Sequence, residues 1–290
     1  MTRLFFADIF LCRDRMPRLL GPTLGTASEK GSMMTIDNTK GFALVTGTSK
    51  GIGYQLAKAF LAEGYKVWGI SRNTPDFTED EANYSHYSLD LTDANSVEQF
   101  IHQHLCPFLE KSPSTIALVN NASTLGEVKP IHKLTSNKSF DNQLAIQLST
   151  PLRLMQGFLK SKSNSHVRII NISSGAASSA YSGWLSYCVP KAGLRMLGEV
   201  AAKDLQGHPM APRTRIVTYD PGPTDTPMQD DVRAAHKEDF PNIEKFHKLK
   251  QDGLLADPGA VAQDILATAL AEGPLYLEKR FGRDANKQFS

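Results

Sequence analysis

The sequence predicts an α/β protein, a single domain built on a doubly wound parallel sheet with helices on both faces in three α/β/α layers. Three observations predict it. Short apolar runs of strand length alternate with longer segments of helical period from residue 41 to about 280, with no linker-like stretch between them. The first run, residues 42–46, is apolar almost throughout, as suits a strand buried on both faces. Between it and the first helical segment lies Gly47-Thr48-Ser49-Lys50-Gly51-Ile52-Gly53, a glycine-rich turn from strand to helix.

The elements follow in order. Residues 52–61 carry helical periodicity, 66–70 read as the second strand, and 84–89 as the third, with Asp90 at its end. Residues 93–111 read as one helix capped by Thr92 or Asp93, whose side chains accept from the first free N–H groups. Residues 116–119 form the fourth strand, 139–159 a long helix, 167–172 the fifth strand, and 185–205 a second long helix. Residues 215–219 form the sixth strand, a helix starts at Asp257-Pro258, and 274–278 form a closing strand. Residues 227–256 break this rhythm as one or two short amphipathic helices. In such a sheet they would hang over the carboxyl edge, as a substrate lid or as a surface excursion.

Composition excludes several classes. With 290 residues, a formal net charge of +2 and acids interspersed among the bases, there is no basic block for nucleic acid. Cys12, Cys106 and Cys188 make no C-x-x-C pair and no metal spacing, which suits free thiols in a reducing compartment, so the cytoplasm is expected and no metal is. Residues 4–11 are apolar but short, broken by Asp8 and followed by Arg13, Arg15 and Arg18, unlike a secretory signal or a membrane span. Residues 1–40 are read as a disordered extension or an over-extended start, with Met16, Met33 and Met34 as alternative starts. An organelle-targeting segment is the other alternative.

Candidate chemistry sits where the strands end. Gly47, Gly51 and Gly53 allow positive φ and close approach, and the helix behind the turn aims free N–H groups into it, as a pyrophosphate requires. Tyr187 and Lys191 are four residues apart on one helical face, so an ammonium lies within reach of a phenol and favours its ionised form. Ser174 precedes Tyr187 by thirteen residues. The second strand ends in Ser71-Arg72-Asn73, with no acid for a ribose 2′-hydroxyl. Arg72 and Lys50 offer two positive charges to a 2′-phosphate instead, so NADP(H) is the expected cofactor.

The turn at Gly47, Asn120-Asn121-Ala122, Ser174 and Tyr187-x-x-x-Lys191, in this order and spacing, resemble the classical short-chain dehydrogenase/reductase family over residues 41–280. The resemblance implies a Rossmann-type fold and hydride transfer from a nicotinamide. Tyr187 would act as proton donor, Lys191 would lower its pKa and hold the nicotinamide ribose, and Ser174 would orient the carbonyl. It implies a cofactor path along Gly47, Ser49, Lys50, Gly51, Ile52, Gly53, Arg72, the Asp90-Leu91 adenine pair, Asn121 and Ala122. That path ends at Tyr187, Lys191 and the closing loop with Pro221, Gly222, Thr224, Thr226 and Met228. Substrate would meet Ser174, Gly175, Trp184, Tyr187 and Gly222.

Three positions depart from the family pattern. Ser123 stands where glycine is usual, and Gln147 stands at the position of a helix asparagine that holds a kink and a proton-relay water. Pro190 cannot donate to the Ser186 carbonyl, which is tolerable only where the helix is beginning.

Within the family, residues 120–127, 183–188 and 221–229 resemble sepiapterin reductase and the bacterial benzil reductases, which reduce a side-chain ketone or one carbonyl of a vicinal diketone with NADPH. On that likeness Glu278 falls at the position of a pterin-anchoring carboxylate. The alternatives are a reductase of another ketone, such as a 3-oxoacyl thioester or steroid, and a non-catalytic NADP-binding regulatory protein. A homodimer or homotetramer through the two long helices is implied as well.

Overall fold

Every residue of β1 (Gly41–Thr46) is buried, as its apolar run requires. The computed structural model describes residues 39–76, 82–111, 114–161, 164–283 and 287–289, so the reading of residues 1–38 lies outside the described residues. Side chains of β1 alternate between two layers. Phe42 and Leu44 pack with Ile101, Leu154 and Phe158, while Ala43 and Val45 pack with Leu56, Phe60 and Ile265.

Seven strands run parallel in the order β3-β2-β1-β4-β5-β6-β7, and β8 closes the edge antiparallel to β7. They are β2 (Tyr65–Ser71), β3 (Tyr84–Ser88), β4 (Thr115–Asn120), β5 (His166–Ile172), β6 (Thr214–Asp220), β7 (Tyr276–Arg280) and β8 (Lys287–Phe289). The order reverses between β1 and β4, so a crevice opens at their carboxyl ends. Helix α1 (Gly51–Ala62) follows β1, α6 (Leu185–Leu205) follows β5, and α9 (Pro258–Leu270) leads into β7. Asp257 caps α9, accepting from the Ala260 N–H at 2.7 Å.

Two expected helices are each broken by a π-turn. α2 (Ala94–Phe100) passes through Ile101–Leu105 into α3 (Cys106–Leu109), and α4 (Lys138–Leu144) passes through Ala145–Ser149 into α5 (Thr150–Leu159). A proline stands second after each turn, Pro107 and Pro151. Lacking an N–H and crowding the carbonyl four residues back, it shifts the ladder by one residue. Of the two proposed caps for α2, Asp93 is the one used, accepting from the N–H groups of Asn95 and Ser96.

The closing strand lies at Tyr276–Arg280 rather than 274–278, because Pro274 has no N–H to pair, and β8 was not foreseen. Pro190 stands at the sixth residue of α6, so the helix begins five residues earlier than the proline, and only the bond to Ser186 near its start is lost.

Residues 227–256 form α7 (Pro227–Arg233) and α8 (Ile243–Gln251). A bridge between Thr224 and Ala256 pins the two ends of this excursion together, and Lys250 Nζ pairs with Asp225 at 2.8 Å across its base.

Candidate active site

A cavity of about 680 Å³ opens at the carboxyl ends of the strands and runs from the glycine turn to α7 and α8. Its floor begins at Gly47 and Gly51, which take φ of +76° and +63°. Thr46 knits the turn to β4: its Oγ1 accepts from the N–H groups of Asn121 and Ala122, both at 3.0 Å, and donates to the Val119 carbonyl. Asn121 Nδ2 returns a bond to the Thr46 carbonyl at 2.9 Å. A Cβ on Gly47 would stand 2.9 Å from the Ala122 Cα, so only glycine permits this approach. The free N–H groups at the start of α1 face the cavity, and Lys50 precedes them in extended conformation.

Farther along lie Arg72, Asp90 and Leu91. Asp90 Oδ1 is held by the Thr92 backbone N–H and hydroxyl, each at 2.9 Å. Arg72 and Lys50 are exposed and make no ion pair with a described residue, so both charges are available to a ligand. Volume, turn and cations together fit a dinucleotide.

The wall that carries Ser174, Tyr187 and Lys191 is built by β5 and α6. Ser174, two residues beyond the end of β5, is in extended conformation and caps the short turn Gly175–Ala177, its Oγ accepting from the Ala176 N–H at 3.2 Å. Tyr187 and Lys191, in the first two turns of α6, are 8% and 2% exposed and share the buried face. The Tyr187 phenol shares the cavity with Ser174 and Ser123, whose hydroxyls favour its ionised form.

Lys191 Nζ donates to the Ile172 carbonyl at 2.7 Å and lies 5.7 Å from the centre of the Tyr187 ring. Burial pushes the lysine down to about 7, opposed by the Asp220 carboxylate. Burial pushes Tyr187 up to about 12, partly offset by the Ser174 bond and reinforced by Asp220. In this state the ammonium is turned to the backbone of β5, and desolvation governs both groups.

Nearly all the expected residues meet here: Gly47, Ser49, Lys50, Gly51, Ile52, Arg72, Asp90, Leu91, Asn121, Ala122, Ser174, Gly175, Trp184, Tyr187, Lys191, Pro221, Gly222, Thr224, Thr226 and Met228 all line the cavity. Three do not. Gly53 lies beneath, where Asn121 and the Gly47 carbonyl leave no room for a side chain, so its part is to let α1 approach the turn.

Glu278 lines an adjoining cavity of about 200 Å³ that shares Ser173, Ser174, Asp220 and Arg280 with the first, and there Arg195 Nε donates to its Oε1 at 2.9 Å. Gln147 is 1% exposed and outside the cavity. Its Nε2 donates to Gln143 and to the Thr124 carbonyl, and its Oε1 accepts from the Ser123 hydroxyl. The kink expected at this position is the π-turn Ala145–Ser149 itself.

The sequence reading missed Asp220, Ser123 and the aromatic wall as parts of the site. Asp220 Oδ1 holds the Gly222 N–H at 2.9 Å and its carboxylate acts on both Tyr187 and Lys191. Its place directly before Pro221-Gly222 was a usable signal. On the wall, Trp184 stacks on Phe240 at 4.7 Å and meets Phe246 at 5.2 Å and Tyr181 at 5.1 Å. Phe240 and Phe246 arrive from the 227–256 excursion, far away in sequence.

A nucleotide crevice at the strand-order reversal, with serine, tyrosine and lysine on one wall, defines a dehydrogenase. The short chain dehydrogenase family profile matches residues 41–237, and the chain belongs to that family of oxidoreductases. It is 36% identical over 233 residues to benzil reductase ((S)-benzoin forming) of Bacillus cereus, spanning 77% of this chain and 92% of that protein. Over 156 residues, 52% of this chain and 57% of the relative, it is 36% identical to sepiapterin reductase of Mus musculus.

Among solved structures, a short chain dehydrogenase from Burkholderia cenocepacia in complex with NADP shares the fold. Its TM-score is 0.63 at 20% identity, over 84% of this chain and 89% of that one. Among the described residues no helix is long and apolar enough to cross a membrane, and no cluster of His, Cys, Asp or Glu could hold a metal.

Proposed function

We propose that this chain is an NADPH-dependent carbonyl reductase acting on a vicinal diketone or a pterin side-chain ketone. The observation that carries the reading is the convergence of Ser174, Tyr187 and Lys191 on one wall of a cavity whose other end is the glycine turn. Bound NADPH would supply the hydride. Ser174 would hold the substrate carbonyl oxygen against Tyr187, and the Tyr187 O–H would pass its proton to that oxygen. Lys191, released from the Ile172 carbonyl, would bind the nicotinamide ribose and bring its charge to the phenol.

NADPH over NADH is supported by Lys50 and Arg72 lining the adenosine end, with no acid at the end of β2. Lys50 stands at the turn and Arg72 beyond β2, on two sides of the expected 2′-phosphate.

For the substrate, Trp184, Tyr181, Phe246 and Leu249 offer a flat apolar wall suited to an aryl group beside the reacting carbonyl. Glu278 is occupied by Arg195, which favours the diketone over the pterin ketone. The relative from Bacillus cereus points the same way. The test is NADPH oxidation with benzil, 1-phenyl-1,2-propanedione, sepiapterin, simple ketones and an acetoacetyl thioester. Turnover with benzil above all others is expected. Oxidation with the thioester alone moves the chain to acyl reduction, and silence with every carbonyl returns it to a regulatory NADP-binding role.

A further inference from the structure

The two family departures at residues 123 and 147 touch each other. Ser123 Oγ donates to Gln147 Oε1 at 2.8 Å. The Gln147 amide is fixed in that orientation, because its Nε2 faces Gln143 Oε1 at 2.8 Å and the Thr124 backbone carbonyl at 3.3 Å, and a backbone carbonyl only accepts. Gln143 is locked in turn by donating to Thr124 Oγ1 at 2.7 Å. Ser123 also lines the cavity with Tyr187, and its hydroxyl is among the groups that favour the ionised phenol.

One hydroxyl proton thus faces two oxygens. While the phenol is neutral, Ser123 gives its proton to Gln147 and offers Tyr187 a lone pair. Once the phenol has lost its proton, a bond from Ser123 to the phenolate is charge-assisted and stronger than the amide bond, so the hydroxyl turns.

We infer that Ser123 is a positioning residue for the proton donor, and that Gln147 regulates it by competing for the serine proton. The inference rests on the reductase reading for its catalytic meaning, though the hydrogen-bond competition itself does not need turnover. Ser174, Asp220 at the end of β6 and Cys188 on α6 also act on the phenol, while Lys191 stands 5.7 Å from its ring centre and Lys245 of α8 lines the same cavity. None of them changes in the variants below, so a shift reports on the pair.

Tyr187 ionisation is read in two ways: the alkaline limb of kcat with the best diketone, and ultraviolet titration of the tyrosinate at saturating NADP+ with Tyr187→Phe as blank. Ser123→Ala should move the ionisation upward by about one pH unit, the size of one hydrogen bond to a charged oxygen. Gln147→Met should move it downward, because the serine proton is then free for the phenolate. The double variant should follow Ser123→Ala alone. A merely structural role predicts shifts of one sign or none, and either result overturns the inference. Should Gln147→Met fail to fold, Ser123→Ala decides alone, since an unmoved ionisation is enough to reject it. A wild-type chain inactive toward every carbonyl ends the reductase reading, while the titration still judges the pair.

Discussion

Tyr187 and Lys191 carry the sharpest expectations at the scale of single residues. Tyr187→Phe removes the proton donor but leaves the ring against Trp184, so kcat should fall roughly 10²–10⁴-fold with NADPH affinity nearly unchanged. Single-turnover rates and cofactor titration check both halves, and a variant keeping a tenth of the chemical rate would reject the assignment. The pH dependence has a definite sign. Reduction needs the protonated phenol, so the rate falls as pH rises through its pKa. With NADPH bound and Lys191 released from the Ile172 carbonyl to the ribose, that limb should move upward in Lys191→Ala, which loses the ammonium brought to the phenol. At the other end of the cavity, Arg72→Ala should weaken NADPH by about 1.5–3 kcal/mol and NADH by much less, because only the former loses a charge-assisted bond to phosphate. Equal losses for both cofactors would count against Arg72 as the phosphate reader.

At the scale of elements, the lid and α6 were legible to different degrees. Leu185–Leu205 lies where its periodicity put it, with Tyr187 and Lys191 on the buried face. The excursion at 227–256 was legible as short helices, but its fastening was not, since each tie joins residues distant in sequence. Lys133 Nζ meets Asp239 at 2.8 Å from the β4–α4 loop, and Lys250 meets Asp225. These pairs stand at the solvent-facing surface, where water and salt screen them, so each contributes little to stability. Lys250→Ala together with Lys133→Ala should therefore leave thermal stability within a few degrees while raising KM for the diketone. An unchanged KM would mean that the segment closes over nothing. The π-turns show the same limit: Pro107 and Pro151 were visible, but whether a helix kinks, ends or bulges at a proline depends on what it packs against.

For the whole molecule, the outer faces of α5 and α6 leave Leu152, Val189, Met196 and Val200 between 41% and 53% exposed. These are the two long helices from which an oligomer was expected, and a second copy of this face would cover them in a symmetric contact. Sedimentation at micromolar concentration should give a dimer or tetramer, and Met196→Glu with Val200→Glu should shift it to monomer. A wild-type monomer would refute the arrangement.

The sequence by itself determined the sheet, the order of its elements, the nucleotide turn and the serine, tyrosine and lysine of the site. These rest on local signals: apolar runs, helical period, glycine at forced φ, and fixed spacings along the chain. Only the tertiary structure decided that Glu278 pairs with Arg195, and that Gln147 is bonded to Ser123. It alone also brought Phe240 and Phe246 to Trp184, and left Tyr187 and Lys191 governed by burial rather than by each other. The physical reason is common to all four. Side-chain direction, desolvation and hydrogen-bond competition depend on what other strands and helices bring within a few ångströms, and chain spacing carries no record of that.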